Sequence, residues 1–229
     1  MTVNCQDLRH KSDVVIPQPS KNNPDPTARF YNCFGKRFFD VSLILLSLPF
    51  VLIVVALLAV VVARKGGKPF YTQDRVGRNG RAYKIWKLRT MVDNADALLE
   101  QHLAQDPVAR AEWHITQKLR NDPRITEFGR FLRRSSMDEL PQLWNVVRGD
   151  MSLIGPRPMM LNQTNLYPGT AYYDLRPGIS GSWQISARNT SSFAERAMFD
   201  TDYREKISFV EDLRILFATL RVVLRGTGC

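Results

Sequence analysis

From residue 41 to residue 63 the chain carries no charged side chain, and no other stretch of it is comparably apolar. At about 1.5 Å per helical residue this run reaches roughly 35 Å, the thickness of a bilayer's hydrocarbon. It predicts a membrane helix. Beyond it the pattern shortens: residues 70–75 and 82–89 flank the turn-forming pair Asn79-Gly80, which predicts a β-hairpin with Lys87 and Arg89 on one face. Residues 91–104 and 106–120 read as helices, the second opened by Asp106-Pro107. Another helix is expected from Thr126, with Phe128, Phe131 and Leu132 buried and Arg130, Arg133 and Arg134 turned elsewhere. Pro141 disfavours helical geometry at Leu140 and suits the first position of a new helix through Gln142, Leu143, Trp144 and Val147, ending at Gly149. Near the C-terminus, Phe209, Val210, Leu213, Leu216, Phe217, Leu220 and Leu224 recur at helical spacing beside Arg214, Arg221 and Arg225. A core-facing helix and one lying in lipid headgroups both fit that stripe.

The flanks of the membrane run change its reading. Lys36 and Arg37 precede it, and Arg64, Lys65 and Lys68 follow, so positive charge marks both ends as cytoplasmic. Pro49 removes a backbone donor and predicts a kink, with Ser47 placed to satisfy a freed carbonyl. A helix that enters, breaks at Ser47 and Pro49 and returns satisfies both features; a kinked crossing helix is the alternative. The run starts too late and is too long for a signal peptide. The polar stretch ahead of it, broken by Pro17, Pro19, Pro24 and Pro26, is expected to be disordered.

Charge then narrows the partners. The net charge of +10, from 32 Lys and Arg against 22 Asp and Glu, favours groups that carry phosphate: nucleic acid, anionic lipid or a nucleotide. Cys5, Cys33 and Cys229 are scattered, as are His10, His102 and His114, and neither set has the spacing of a disulfide framework or a metal site. Gly77-Arg78-Asn79-Gly80 and Gly66-Gly67-Lys68 do not complete a P-loop.

The chemistry concentrates in the second half. Asp138 and Glu139 precede a predicted helix N-terminus, whose unpaired amides and positive dipole end would attract phosphate oxygens, although capping alone explains one carboxylate. Gly155-Pro156-Arg157-Pro158 fixes an arginine between two prolines, Arg176-Pro177-Gly178 repeats the device, and Arg188 follows in a Ser- and Asn-rich loop. Carboxylates can supply a nucleophile and a Mg²⁺ ligand, and guanidinium groups can spread the charge on a transferred phosphoryl group.

These motifs resemble those of the bacterial sugar transferases, small monotopic phosphoglycosyltransferases of the exopolysaccharide-initiating type. Six carry the resemblance in order: Lys36-Arg37-Phe38-Phe39-Asp40, Gln73-Asp74-Arg75-Val76-Gly77, Lys87-Leu88-Arg89-Thr90-Met91, Asp138-Glu139-Leu140-Pro141-Gln142-Leu143, Gly155-Pro156-Arg157-Pro158 and Arg176-Pro177-Gly178-Ile179-Ser180-Gly181. The match spans about residues 36–225, and with so little chain ahead of it the protein looks like the small form. The resemblance implies an α+β, mainly helical protein with a short hairpin and interfacial helices. Residues 1–35 would be disordered or extended, 36–68 a re-entrant membrane helix broken at Pro49, and 69–229 a catalytic domain on the cytoplasmic face of the inner membrane. It further implies that hexose-1-phosphate, from UDP-glucose or UDP-galactose, passes to undecaprenyl phosphate with release of UMP. Asp138 would be the nucleophile, Glu139 the Mg²⁺ ligand, and Lys87, Arg89, Arg157, Arg176 and Arg188 the phosphate- and substrate-binding set.

The implied partners are the UDP-sugar, the lipid phosphate, membrane lipids and downstream glycosyltransferases, with no nucleic acid; oligomeric state stays open, a homodimer included. The pattern departs from the family at Leu48, which separates Ser47 from Pro49, and at Ser182 and Ala187. A membrane-tethered binding module and a membrane phosphohydrolase are the competing classes. Release of UMP from a UDP-sugar separates the first of these from a transferase.

Overall fold

The computed structural model describes residues 30–64, 67–116, 119–186 and 192–224, so the expected extended N-terminal segment lies largely outside the described residues. A turn of π-helix, Tyr31–Gly35, runs directly into α1, Lys36–Arg64, which continues as helix through Pro49. Most of α1 faces outward, with Leu46, Phe50, Leu52, Ile53 and Leu57 exposed, as an apolar helix without a protein partner must be. Its two ends behave differently. Lys36, Asp40 and Ile44 are buried at the start, and Val62 is buried at the finish. Ile44 belongs to the main core with Ile85, Val146, Met151, Ile154 and Ile215, while Val62 packs with Leu88 and Leu132, helped by Leu58 and Ala59.

The start of α1 is pinned by polar contacts. Lys36 donates to Asp212 (2.6 Å) and to the Tyr203 hydroxyl (2.9 Å), and Tyr31 and Tyr203 each donate to the same carboxylate. Asp40 accepts from the Ser152 hydroxyl (2.7 Å) and the Leu153 amide (3.2 Å). Arg37 donates to the carbonyls of Val146 and Val147. Buried charges persist only when paired and hydrogen-bonded, and here the pairing locks the start of α1 to the body.

The hairpin forms as the alternation predicts: β1, Phe70–Val76, pairs antiparallel with β2, Ala82–Leu88, closed by a turn in which Asn79 and Gly80 both adopt positive φ. Two helices follow, α2 at Ala95–Gln105 and α3 at Pro107–Thr116, both shorter than expected. Asp106 opens α3 by accepting from the Val108 and Ala109 amides. Then α4, Glu127–Arg134, is capped by Thr126, whose hydroxyl accepts from the Gly129 amide. Its buried face carries Gly129 and Leu132, but Phe131 is 53 % exposed. That overturns its expected burial: over so short a helix Phe131 falls off the stripe and stacks on Phe128 instead.

Next comes α5, Gln142–Arg148, ended by Gly149 at φ 89°, a left-handed residue that glycine adopts without strain. A strand pair absent from the sequence reading follows: β3, Ser152–Ile154, lies parallel to β4, Gly178–Ser180. At three residues each, these strands are too short to show a period. A Cβ on Gly178 would sit 2.1 Å from the Gly155 amide nitrogen, so glycine there lets the Arg157 and Arg176 loops touch. Between the strands lies α6, Ala171–Asp174, and after them come α7, Ser182–Ser186, α8, Arg196–Lys206, and α9, Phe209–Leu224.

In α9 the buried row is Asp212 and Ile215, whereas Phe209, Val210, Phe217 and Leu220 are exposed. Much of the apolar stripe therefore faces away from the core. Ser47 also differs from expectation: it donates to the Leu43 and Ile44 carbonyls, not to that of Leu45, which Pro49 deprives of its helical donor.

Candidate functional site

Asp138 and Glu139 occupy a 3₁₀ turn, Met137–Glu139, and do not stand before a free helix N-terminus. Leu140 is helical (φ −54°, ψ −37°) despite Pro141, because the 3₁₀ turn leads directly into α5 and tertiary packing outweighs the local preference. The Leu143 and Trp144 amides donate back to the Leu140 and Pro141 carbonyls. The expected set of unpaired amides is thereby largely consumed. What orients the pair is Ser136, a non-glycine residue at φ 56°, a conformation that costs about 1–2 kcal/mol and turns the chain sharply between α4 and the acidic turn. Strain of this kind is held in place by the surrounding packing and clusters at working sites.

Two cations reach the acidic turn from different elements. Lys87, on β2, places Nζ 2.8 Å from Glu139 Oε1 and 4.0 Å from Asp138 Oδ2. Arg133, on α4, is held by its Nε donating to the Thr90 hydroxyl (2.9 Å), and its charge acts on Asp138. Asp138 is buried, and that burial, reinforced by the Glu139 charge, pushes its carboxyl up to about 6 in spite of Lys87 and Arg133. The sequence concentrates Arg130, Arg133 and Arg134 beside the acidic motif without assigning any of them a contact there. The spacing of five between Arg133 and Asp138, across the Ser136 turn, is the signal that singles it out.

The remaining expected residues divide. Arg89 lies just past β2 and pairs with Asp93, whereas Lys87 turns to Glu139; the strand ends at Leu88 and alternation lapses there. Arg89 and Asp93 line a small cavity of about 190 Å³ with Val62, Met91 and Phe128, beside the end of α1. Arg176 donates through Nε to the Gly149 carbonyl (3.1 Å) at the end of α5. Arg157 lies with its guanidinium 5.7 Å from the Trp183 ring, in the company of Arg75 and Arg196. Arg188 lies outside the described residues.

The donor set suits a hard divalent cation. Mg²⁺ keeps several waters and takes one or two carboxylates together with substrate phosphates, which Asp138 and Glu139 can provide without a third acidic side chain. Among the described residues no group of three or more His, Cys, Asp or Glu is gathered for a metal.

The Asp138 environment sets a pH dependence. A carboxylate serves as a nucleophile or a metal ligand only when ionised, so any activity that needs ionised Asp138 should rise with pH and level off above about 6. Lys87 favours the ionised form, and Lys87→Met should move that acid limb upward. An unmoved limb in a pH–rate profile would separate Lys87 from the titrating group.

Comparison with known proteins matches this arrangement. The family described as bacterial sugar transferase covers residues 31–226. The UDP-galactose-lipid carrier transferase of Erwinia amylovora is 46 % identical, over 94 % of this chain and 45 % of its own length. The undecaprenyl-phosphate galactose phosphotransferase of Salmonella typhimurium is 44 % identical, over 94 % of this chain and 45 % of its own. This chain thus spans about half the length of those two curated relatives. The exopolysaccharide production protein ExoY of Rhizobium meliloti, 44 % identical, is matched over 85 % of this chain and 87 % of its own length. Since the match takes in both ends of α1, the acidic turn and the Arg157 and Arg176 loops, the chain belongs to the bacterial sugar transferase family.

Proposed function

We propose that this protein transfers hexose-1-phosphate from a UDP-hexose to undecaprenyl phosphate, releasing UMP, as the first membrane step of exopolysaccharide or glycoconjugate synthesis. The observation that carries this reading is the buried acidic turn: a carboxylate raised toward neutrality, with lysine and arginine charge beside it. The relatives' printed names supply the lipid carrier and the hexose, galactose being the one named for two of them.

In the proposed sequence Asp138 attacks the β-phosphorus of the donor. The Asp138 oxygen–phosphorus bond forms, the bond to the bridging oxygen breaks, and UMP leaves with the electron pair. The lipid phosphate then attacks the same phosphorus and regenerates the carboxylate. Lys87 and Arg133 neutralise charge on the transferred group, in a site dry enough to strengthen those contacts. Glu139 would hold Mg²⁺, which when bound would offset the charge of the diphosphate.

A monotopic placement at the cytoplasmic face fits the packing of α1. A helix that crosses the hydrocarbon delivers its ends to opposite faces, whereas here Ile44 and Val62, near the two ends, both pack on the same body. The exposed side of α9 adds a second apolar surface beside it. Two measurements test the proposal. Cysteines introduced at Asp7 and Asp93 should label from the same side of right-side-out and inverted vesicles, and opposite labelling would contradict the re-entrant placement. A panel of UDP-sugars should show Mg²⁺-dependent UMP release and label transfer to undecaprenyl phosphate; release of free sugar phosphate to water would mark a hydrolase.

A further inference from the structure

A second body of positive charge lies apart from the acidic turn. Burial depresses Arg75 on β1 and Arg196 on α8, the latter to about 10, and the charge of Arg157, in its proline-bracketed loop, is near enough to add to both shifts. Trp183 sits among them, with the Arg196 guanidinium 4.3 Å and the Arg157 guanidinium 5.7 Å from its ring. The guanidinium groups are poorly satisfied. Nε of Arg75 and Nε of Arg196 are buried without a hydrogen-bond partner, and so are the Tyr83 hydroxyl and both amide atoms of the buried Gln184. Asp200 is the carboxylate that acts on Arg196, and burial pushes it up to about 7 while Tyr167 donates to it (2.9 Å). Buried donors and like charges of this kind cost free energy unless an anion completes them.

The hairpin relates this cluster to the acidic turn. Arg75 pairs with Tyr83 and Tyr71 with Lys87, so positions 75 and 87 share one face, about 13 Å apart along the strands. Arg75 leans toward Tyr71 to donate to Gln73 Oε1 (2.6 Å), and Lys87 donates to Glu139 (2.8 Å). Two cationic positions thus lie along one strand face, one at Lys87 and one at the arginine cluster.

We propose that Arg75 and Arg196, with Arg157, cradle the phosphate of the departing nucleoside monophosphate, while Lys87 and Arg133 serve the phosphoryl group that stays on Asp138. The inference rests on the transferase reading above and divides its cationic residues between two phosphates. When the bond from the β-phosphorus to the bridging oxygen breaks, the electron pair stays on that oxygen, and the leaving phosphate becomes a monoester dianion. Its second charge appears beside the unpartnered Nε atoms of Arg75 and Arg196, so the cradle stabilises the leaving group as it forms.

The test separates binding from turnover. UMP, uridine, inorganic phosphate and undecaprenyl phosphate are titrated by calorimetry into nanodisc-embedded protein in an Asp138→Asn background, where no turnover interferes. Arg75→Gln and Arg196→Gln are each expected to weaken UMP at least about tenfold, the scale of a lost charge-assisted hydrogen bond, and to leave uridine unchanged. Equal losses for uridine, unchanged UMP affinity, or a loss confined to undecaprenyl phosphate would overturn the assignment. Should a variant fail to fold, the thermal midpoint of the unsubstituted chain decides, since UMP must raise it more than uridine does and equal shifts refute the cradle. UMP binding that depends on Arg75 and Arg196, in a protein unable to cleave UDP-sugars, would sink the transferase reading and keep the cradle; robust transfer with UMP affinity indifferent to both arginines would do the reverse.

Discussion

The Asp138→Asn protein is expected to lose sugar-phosphate transfer by at least about a thousandfold while folding normally, the scale seen when a covalent nucleophile is removed. Asparagine keeps the shape of the side chain. It also relieves the cost of burying a charge beside Glu139, so the variant should melt no lower than the parent. Activity of labelled UDP-hexose with undecaprenyl phosphate measures the first effect and a thermal scan the second. Loss of both together would recast Asp138 as a structural residue, and near-normal transfer would remove it from the chemistry.

The second large effect is on stability, far from the acidic turn. Lys36 and Asp212 form an ion pair with side chains almost wholly out of solvent, and Tyr31 and Tyr203 complete the carboxylate's hydrogen bonds. Lys36→Met strands Asp212 without a counter-charge, which costs about 3–5 kcal/mol for a buried pair broken on one side. For a chain of this size that lowers the thermal midpoint by roughly 6–20 °C. A double Lys36→Met, Asp212→Leu protein should recover part of the loss, because replacing both partners removes the orphaned charge. A single substitution without effect would show that the start of α1 is held by Asp40 and Arg37 alone.

The legibility of the sequence follows the range of each interaction. Where the signal is local it reads well: the uncharged run of α1, the alternation of the hairpin, the Thr126 cap and the stop at Gly149 all appear as expected. Where partners are distant in sequence it fades. Arg133 reaches the acid pair only because Ser136 adopts a left-handed turn, which no periodicity announces. The Lys36–Asp212 contact joins residues near opposite ends of the chain, and Asp212 lies within what reads as an apolar stripe. The parallel pairing of β3 with β4, and the grouping of Arg75 with Arg196 around Trp183, likewise depend on assembly. Of the candidate site, the acid pair and Lys87 were legible as motif residues that converge. Arg89 and Arg176 were legible as basic residues, but their placements, on Asp93 and on the Gly149 carbonyl, were not.

The account centres on a carboxylate that accepts the sugar phosphate before any lipid is present. Rapid mixing of the nanodisc-embedded protein with UDP-hexose and Mg²⁺, in nanodiscs free of undecaprenyl phosphate, should release one equivalent of UMP per chain in a burst. Intact mass should then rise by one hexose phosphate located at residue 138. Absence of both burst and adduct, with UMP appearing only after undecaprenyl phosphate is added, would contradict a covalent intermediate and require direct attack by the lipid.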